Sequence, residues 1–304
     1  MVGKINKEEL LDSVSKLPVL SKVVSRAIQL ISDPNCSIRD LVDIVSKDQT
    51  ISAKVVKLAN SAFYGTPRRI TSLSEALVRL GLKTANSLLI TASVSNVFKN
   101  MASNKIMTQK QLWSHSYAVA FLSGSIAKAT RRQDRDLAFT AGILHDIGKL
   151  ILANYLKKSY EDVLKLAINQ GAELWAIEEK SLGISHAMVG GMVLDYWSFP
   201  EVIVTAVARH HLPIKENEFD PLAGILRLAD GMVLEKGIGI SGENSQSELN
   251  DFIQKNLGIS DEMRSAFLDL LDSELVAMSE LFGNGEDGLS LVLLPDSVKS
   301  VKEI

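Results

Sequence analysis

This 304-residue chain contains five histidines, and all of them fall between residues 115 and 211. His210 and His211 are adjacent, and His145 directly precedes Asp146 in the apolar phrase AGILHDIGK, residues 141–149. A carboxylate and an imidazole are costly to bury in such surroundings unless they bind something. Imidazole nitrogen and carboxylate oxygen together are the donor set that suits Zn, Fe, Mn or Ni. His115 in LWSHS, His145 with Asp146, His186 in SHAMVG, His210 with His211 in VARHHLP, and Asp230 in LRLADGM thus form a candidate metal site drawn from five helices. Taken singly, each has a plain structural reading: an interface histidine, a first-turn residue, a helix-end cation suited to the dipole, or an aspartate paired with Arg227. Their number and order carry the metal reading.

Helices must position these groups. His145 and Asp146 would sit on one helix, roughly 100° apart, facing a common pocket near the helix end where Gly148 opens the backbone. The runs PVLSKVVSRAIQLIS, SIRDLVDIVSKD and TISAKVVKLANSAFY have helical apolar spacing, with Ser37 at an N-cap position. LSEALVRLGLK and TANSLLITASVSNVFKN follow the loop TPRRITS. A second group comprises QLWSHSYAVAFLSGSIAKAT, DRDLAFTAGILHD, SYEDVLKLAINQ, ELWAIEEKSL, SHAMVGGMVLDYW, PEVIVTAVARHH and PLAGILRLADGMVLEK. Ser185 and Asp220 are expected N-caps, and Pro200 and Pro221 first-turn prolines. GIGISGENSQ, residues 237–246, is a loop signal; a short helix and a long one, SDEMRSAFLDLLDSELVAMSELF, follow it. The tail GNGEDG and the short apolar LSLVLLP end the chain. No segment alternates with period two, so the expected class is all-α. The expected organisation is an N-terminal helical unit over 1–105, a helical bundle over 106–236 that carries the site, and an extension over 237–304.

Composition narrows the classes of function. The chain is 46% hydrophobic and 23% charged, with net charge −3. Residues 1–80 hold 12 Lys/Arg against 8 Asp/Glu, whereas residues 214–304 hold 7 against 18. The only arginine doublets, Arg68–Arg69 and Arg131–Arg132, lack an interleaved aromatic stripe, which argues against a nucleic-acid binder. The lone Cys36 excludes a disulfide framework and fits a reducing compartment. No apolar run approaches the roughly 20 residues that span a bilayer, and MVGKINKEELLDSV lacks a secretion signal; the expected location is cytoplasmic.

HDIGK, followed by HAMVGGMVLDYWSFPEVIVTAVARHH and then LAD, resembles the HD superfamily of metal-dependent phosphohydrolases. The paired HH resembles the branch that includes cyclic-dinucleotide phosphodiesterases. LPVLSKVVSRAIQLISDPNCSIRDLVDIVSKDQTISAKVVKLANSAFYG, with ITSLSEALVRLGLKTANSLL, resembles the HDOD family, an HD-related output domain of bacterial signalling. The resemblance covers about residues 15–213. It implies an HD-like bundle in which His115, His145, Asp146, His186, His210, His211 and Asp230 hold one or two divalent transition-metal ions, Fe or Mn favoured over Zn or Ni. It makes Asp146 the bridge between two ions and Lys149 the contact to a substrate phosphate. Two departures stand out. Gln111 occupies a position where some paired-metal relatives have a glutamate ligand, and the segment LPIKENEFDPLAGILRLA between His211 and Asp230 has no GYP phrase.

Two functions follow from the resemblance. The first is a regulatory module that relays a signal through a partner protein or a small phosphorylated ligand. The second is a phosphohydrolase acting on a nucleotide or cyclic dinucleotide.

Overall fold

The computed structural model describes residues 5–6, 8–10, 12, 22–31, 36–61, 63–65, 68–100, 106–212, 219–239 and 247–282. GNGEDG, LSLVLLP, most of GIGISGENSQ and residues 213–218 of the segment without GYP lie outside the described residues. No strand occurs among the described residues, and the chain is all-α.

Three short helices, α1 (Lys22–Ile31), α2 (Ile38–Val45) and α3 (Gln49–Ala59), pack against the long α4 (Leu73–Asn100). Ser37 opens α2 with a capping box. Its hydroxyl accepts the Asp40 N–H at 3.2 Å and the Asp40 carboxylate accepts the Ser37 N–H at 3.2 Å, an arrangement that contributes about 1 kcal/mol. Asp48 caps α3 through the Ile51 N–H. The two runs expected over 73–100 are two helical segments that meet at a kink at Gly81, whose φ of 79° no other residue type adopts without strain.

α5 (Gln109–Thr130) and α12 (Pro221–Glu235) are the central helices. Both carry apolar or small residues around most of their circumference, a pattern that places a helix inside. Leu112 through Gly124 and Leu222 through Val233 are buried without interruption. α5 packs against α6 (Arg135–Leu144), α12 and α14 (Asp261–Phe282), while α13 (Ser247–Leu257) lies on α12. α4 meets α6 through Thr84, which donates to Asp136 at 2.7 Å, and Thr140, which donates to Ser87 at 2.9 Å. The Arg135 guanidinium lies 4.5 Å from the Phe63 ring centroid. One apolar cluster runs from Leu10 to Leu275.

His145 and Asp146 do not share a helix. They form the joint between α6 and α7 (Ile147–Leu156), with His145 at the C-cap and Asp146 at the N-cap in a non-helical conformation. α7 itself, IGKLILANYL, is a helix that the periodic runs did not single out. α8 (Lys158–Gln170), α9 (Leu174–Leu182), α10 (His186–Tyr196) and α11 (Glu201–Arg209) follow. α7 crosses α10 with Gly148 at the contact, where an added Cβ would lie 1.9 Å from the His186 carbonyl oxygen. Only glycine permits this approach, and it brings the joint to His186. Pro200 stands at the N-cap of α11 rather than inside its first turn.

Candidate metal centre

Asp146 is fully buried at the N-terminus of α7, where the positive end of the helix favours a carboxylate. Its two oxygens face different partners. Oδ2 lies 3.4 Å from His115 Nε2, 3.4 Å from His145 Nε2 and 2.7 Å from the Lys149 ammonium. Oδ1 lies 3.3 Å from His186 Nε2 and accepts no hydrogen bond. Two groups of potential ligand atoms share this one carboxylate: His115, His145 and Asp146, and Asp146, His186, His210 and His211, each with all atoms within 4.8 Å of one another.

The helix ends orient two of the rings. His145 caps α6 and donates its Nδ1–H to the Gly142 carbonyl at 2.7 Å; His210 caps α11 and donates to the Val207 carbonyl at 2.6 Å. Each carbonyl is one of the four that a helix C-terminus leaves without a partner. His115, midway along the buried face of α5, gives its Nδ1–H to the Ile238 carbonyl at 2.9 Å. The lone pairs on Nε2 of all three therefore point inward, and none makes a hydrogen bond. His115 Nε2 approaches Asp230 Oδ1 at 3.1 Å without hydrogen-bond alignment. A buried polar atom left unpaired costs about 1–3 kcal/mol. Four of them converging on one point would be a substantial cost in a fold stabilised by roughly 5–15 kcal/mol, and ligation of a cation removes it.

His186 is held by Glu178, a buried residue of α9. One Glu178 oxygen accepts the His186 Nδ1–H at 2.6 Å and its backbone N–H at 2.7 Å; the other accepts the Tyr160 hydroxyl at 2.6 Å. Ser185 occupies the N-cap of α10 but makes no side-chain cap bond, because Glu178 has taken that role. His211 differs from the rest: its Nδ1 lies 2.6 Å from an Arg227 guanidinium nitrogen, and its Nε2 lies 3.0 Å from His186 Nε2. Arg227 also reaches Glu173 at 3.4 Å, and Trp175 stacks near the His211 ring at 13° between planes.

Burial would raise the Asp146 carboxyl, but His145, Lys149, His186 and His115 hold it well below the usual carboxylate range. Burial likewise opposes ionisation of Asp230, and His115 outweighs it. Burial pushes His145 down, and pushes His210 and His211 well below 6.5, with neighbouring imidazoles adding to the effect and, for His211, Arg227 and Lys149 as well. For His115 burial acts downward but the Asp230 and Asp146 carboxylates win, raising it. Lys149 is raised because Asp146 outweighs its burial.

All seven expected ligands converge, with Asp230 Oδ1 3.1 Å from the inward His115 Nε2 but outside the three-atom and the four-atom neighbourhoods. Lys149 lies on Asp146. The Gln111 side chain accepts the Thr108 N–H at 3.0 Å in a capping box that opens α5. Arg227 binds His211 and Glu173, not Asp230. Glu178 and Tyr160 were not singled out in the sequence, and Arg227 was considered only as a partner of Asp230. Glu178 had a signal, since it falls in the stripe Leu174, Glu178, Leu182, an acidic residue on an otherwise apolar helical face. A cavity of about 10 Å³, lined by Met107, Gln111, Leu112 and Leu174, reaches His115, Asp146 and Lys149. That is room for about one water. No described helix is long and apolar enough to cross a membrane.

The HDOD domain matches residues 17–213 of the chain. An HDOD domain protein of unknown function from Geobacter sulfurreducens superposes with a TM-score of 0.74 at 26% identity, covering 94% of this chain and 97% of its own. A Shewanella amazonensis protein whose name proposes a metal-dependent phosphohydrolase shares the fold, with a TM-score of 0.64 at 24% identity over 88% of this chain and 95% of its own. An uncharacterized protein of Treponema pallidum (strain Nichols) is 25% identical over 222 residues, which are 72% of this chain; the match spans 42% of that relative's length.

Proposed function

This chain belongs to the HDOD family, and on that premise we propose that it is a cytoplasmic signal-transduction module built around a buried divalent-metal centre. The observation that carries this reading is the set of four buried ligand atoms without hydrogen bonds: Nε2 of His115, His145 and His210, and Oδ1 of Asp146. His115 and His145 would hold an ion on one side of Asp146, and His186 and His210 on the other. The mixed nitrogen and oxygen donors suit Fe or Mn, with Zn or Ni as alternatives. A cavity of about 10 Å³ beside the centre is far smaller than the roughly 300–1,000 Å³ of a small-molecule site. This supports a centre that stabilises or senses; its output would pass to a partner protein, or to a small phosphorylated ligand bound outside this cavity.

Elemental analysis of the purified protein, before and after loading with Fe, Mn or Zn, is the test. Stoichiometric metal that disappears in His145→Ala is expected; a fully helical wild-type protein that takes up none would refute the centre.

A phosphohydrolase is the second reading, favoured by the Lys149 ammonium lining the cavity beside Asp146. A bound divalent ion supplies a coordinated water of near-neutral pKa and polarises a phosphoryl oxygen. Lys149 would hold the phosphate and offset its charge, with Asp146 keeping that ammonium in place. Turnover of a generic phosphodiester or of a cyclic mono- or dinucleotide, abolished by His145→Ala with Asp146→Ala, would favour it. A metal-loaded protein inert across that panel would favour the module.

A further inference from the structure

Four of the five histidines give Nδ1–H to an oxygen: Ile238, Gly142 and Val207 carbonyls, and the Glu178 carboxylate. His211 is the exception, because its Nδ1 faces a guanidinium at 2.6 Å. Arginine has only N–H donors and stays protonated, so His211 Nδ1 must carry the lone pair. The proton then resides on Nε2, the atom that faces the centre, and donates to His186 Nε2 at 3.0 Å. A fully protonated ring would set N–H against N–H at Arg227. Glu173 on the far side of Arg227 and Trp175 against the ring hold the arrangement.

We propose that His211 is not a metal ligand but an oxyanion donor, presenting Nε2–H to a phosphate-class anion at the centre. The proposal rests on the metal reading given above. Once His186 Nε2 gives its lone pair to an ion, the His211 N–H loses its acceptor. A buried donor without an acceptor seeks one, and an oxygen of an anion bound beside the ion supplies it. His211 and Lys149 are each 8% exposed, more than any other member of the cluster. Lys149 also lines the small cavity that reaches Asp146. Metal and anion sites are coupled through one hydrogen bond, His211 to His186.

The test begins with chelator-treated protein carrying ¹⁵N-labelled histidine. NMR is expected to show one ring with unprotonated Nδ1 and protonated Nε2, assigned to His211 by its loss in His211→Gln. Metal content of His211→Gln is expected to equal that of wild type, whereas His186→Gln loses metal, with circular dichroism checking that both fold. Affinity of the Mn-loaded protein for inorganic phosphate is expected to fall about tenfold in His211→Phe, the scale of one hydrogen bond to a charged group, and to recover in His211→Gln, whose amide still donates. A protonated Nδ1 on His211, metal loss in His211→Gln matching that in His186→Gln, or unchanged phosphate affinity in His211→Phe overturns the proposal. A wild-type protein that shows the Nε2–H ring yet takes up no metal refutes the centre itself, and the oxyanion role with it.

Discussion

In the half of the centre formed by His115 and His145, both far nitrogens give their protons to main-chain carbonyls. In the half formed by His186 and His211, the far nitrogens meet charged side chains, Glu178 and Arg227. His210 belongs to the second half but is held as in the first, by a helix-end carbonyl. Carbonyl partners come with the backbone and no substitution removes them. Side-chain partners can be exchanged one at a time, and they choose whether a ring presents a lone pair or a proton. The first half is therefore a fixed pair of ligands, and the second is the half whose chemistry is adjustable.

The largest expected effect removes what the halves share. Asp146→Asn withdraws the carboxylate from both groups and leaves Lys149 buried without its partner. Breaking a buried pair in this way costs about 3–5 kcal/mol. Elemental analysis should find almost no metal, and denaturant unfolding should show the loss of stability; full metal retention would mean that the two halves do not depend on a common residue.

A smaller effect separates the halves. Glu178→Gln leaves one acceptor oxygen but removes the charge that orients His186. Metal affinity should fall roughly 10- to 100-fold, the usual consequence of losing such a support, as read by competition with a chelating dye. An affinity equal to wild type would place the second half under backbone control like the first.

The smallest effect is a dependence on pH. His210 and His211 stay neutral well below 6.5 because burial and neighbouring imidazoles oppose their protonation. As pH falls through 6.5, the unfolded chain binds protons there and the folded chain does not, so their contribution to stability is lost. Asp146, whose carboxyl is depressed, adds to the loss further into acid. His115 is raised and acts in the opposite sense, contributing stability below 6.5 that disappears as pH rises through its folded value. The urea midpoint of metal-free protein should drop between pH 7 and pH 5, and His210→Gln should flatten that slope. An unchanged slope would mean that the second half does not resist protonation.

Much of this was readable in the residues themselves. The helices follow from apolar spacing, and the ligand types were visible because histidines are few and lie in apolar phrases. The break at Asp146 was hidden: AGILHDIGKLILANYL carries no proline, and its apolar pattern continues through the joint. Gly148 was noted as an opening in the backbone, but its contact with the His186 carbonyl depends on a crossing helix. Glu178 lay in plain view on a buried stripe, and Arg227 sat on the apolar α12 with nothing nearby in sequence to show that it faces His211.

From sequence alone came the all-α class, the family and the set of groups able to hold a metal. Only the tertiary structure decided which nitrogen of each ring faces Asp146. An imidazole offers a lone pair on one side only when a proton acceptor holds the other. Those acceptors come from the helix's own end for His145 and His210 and from other elements for His115 and His186, whereas His211 meets a donor, the Arg227 guanidinium. Two adjacent histidines, His210 and His211, therefore present opposite faces to one centre: a carbonyl stands behind the first and a guanidinium behind the second.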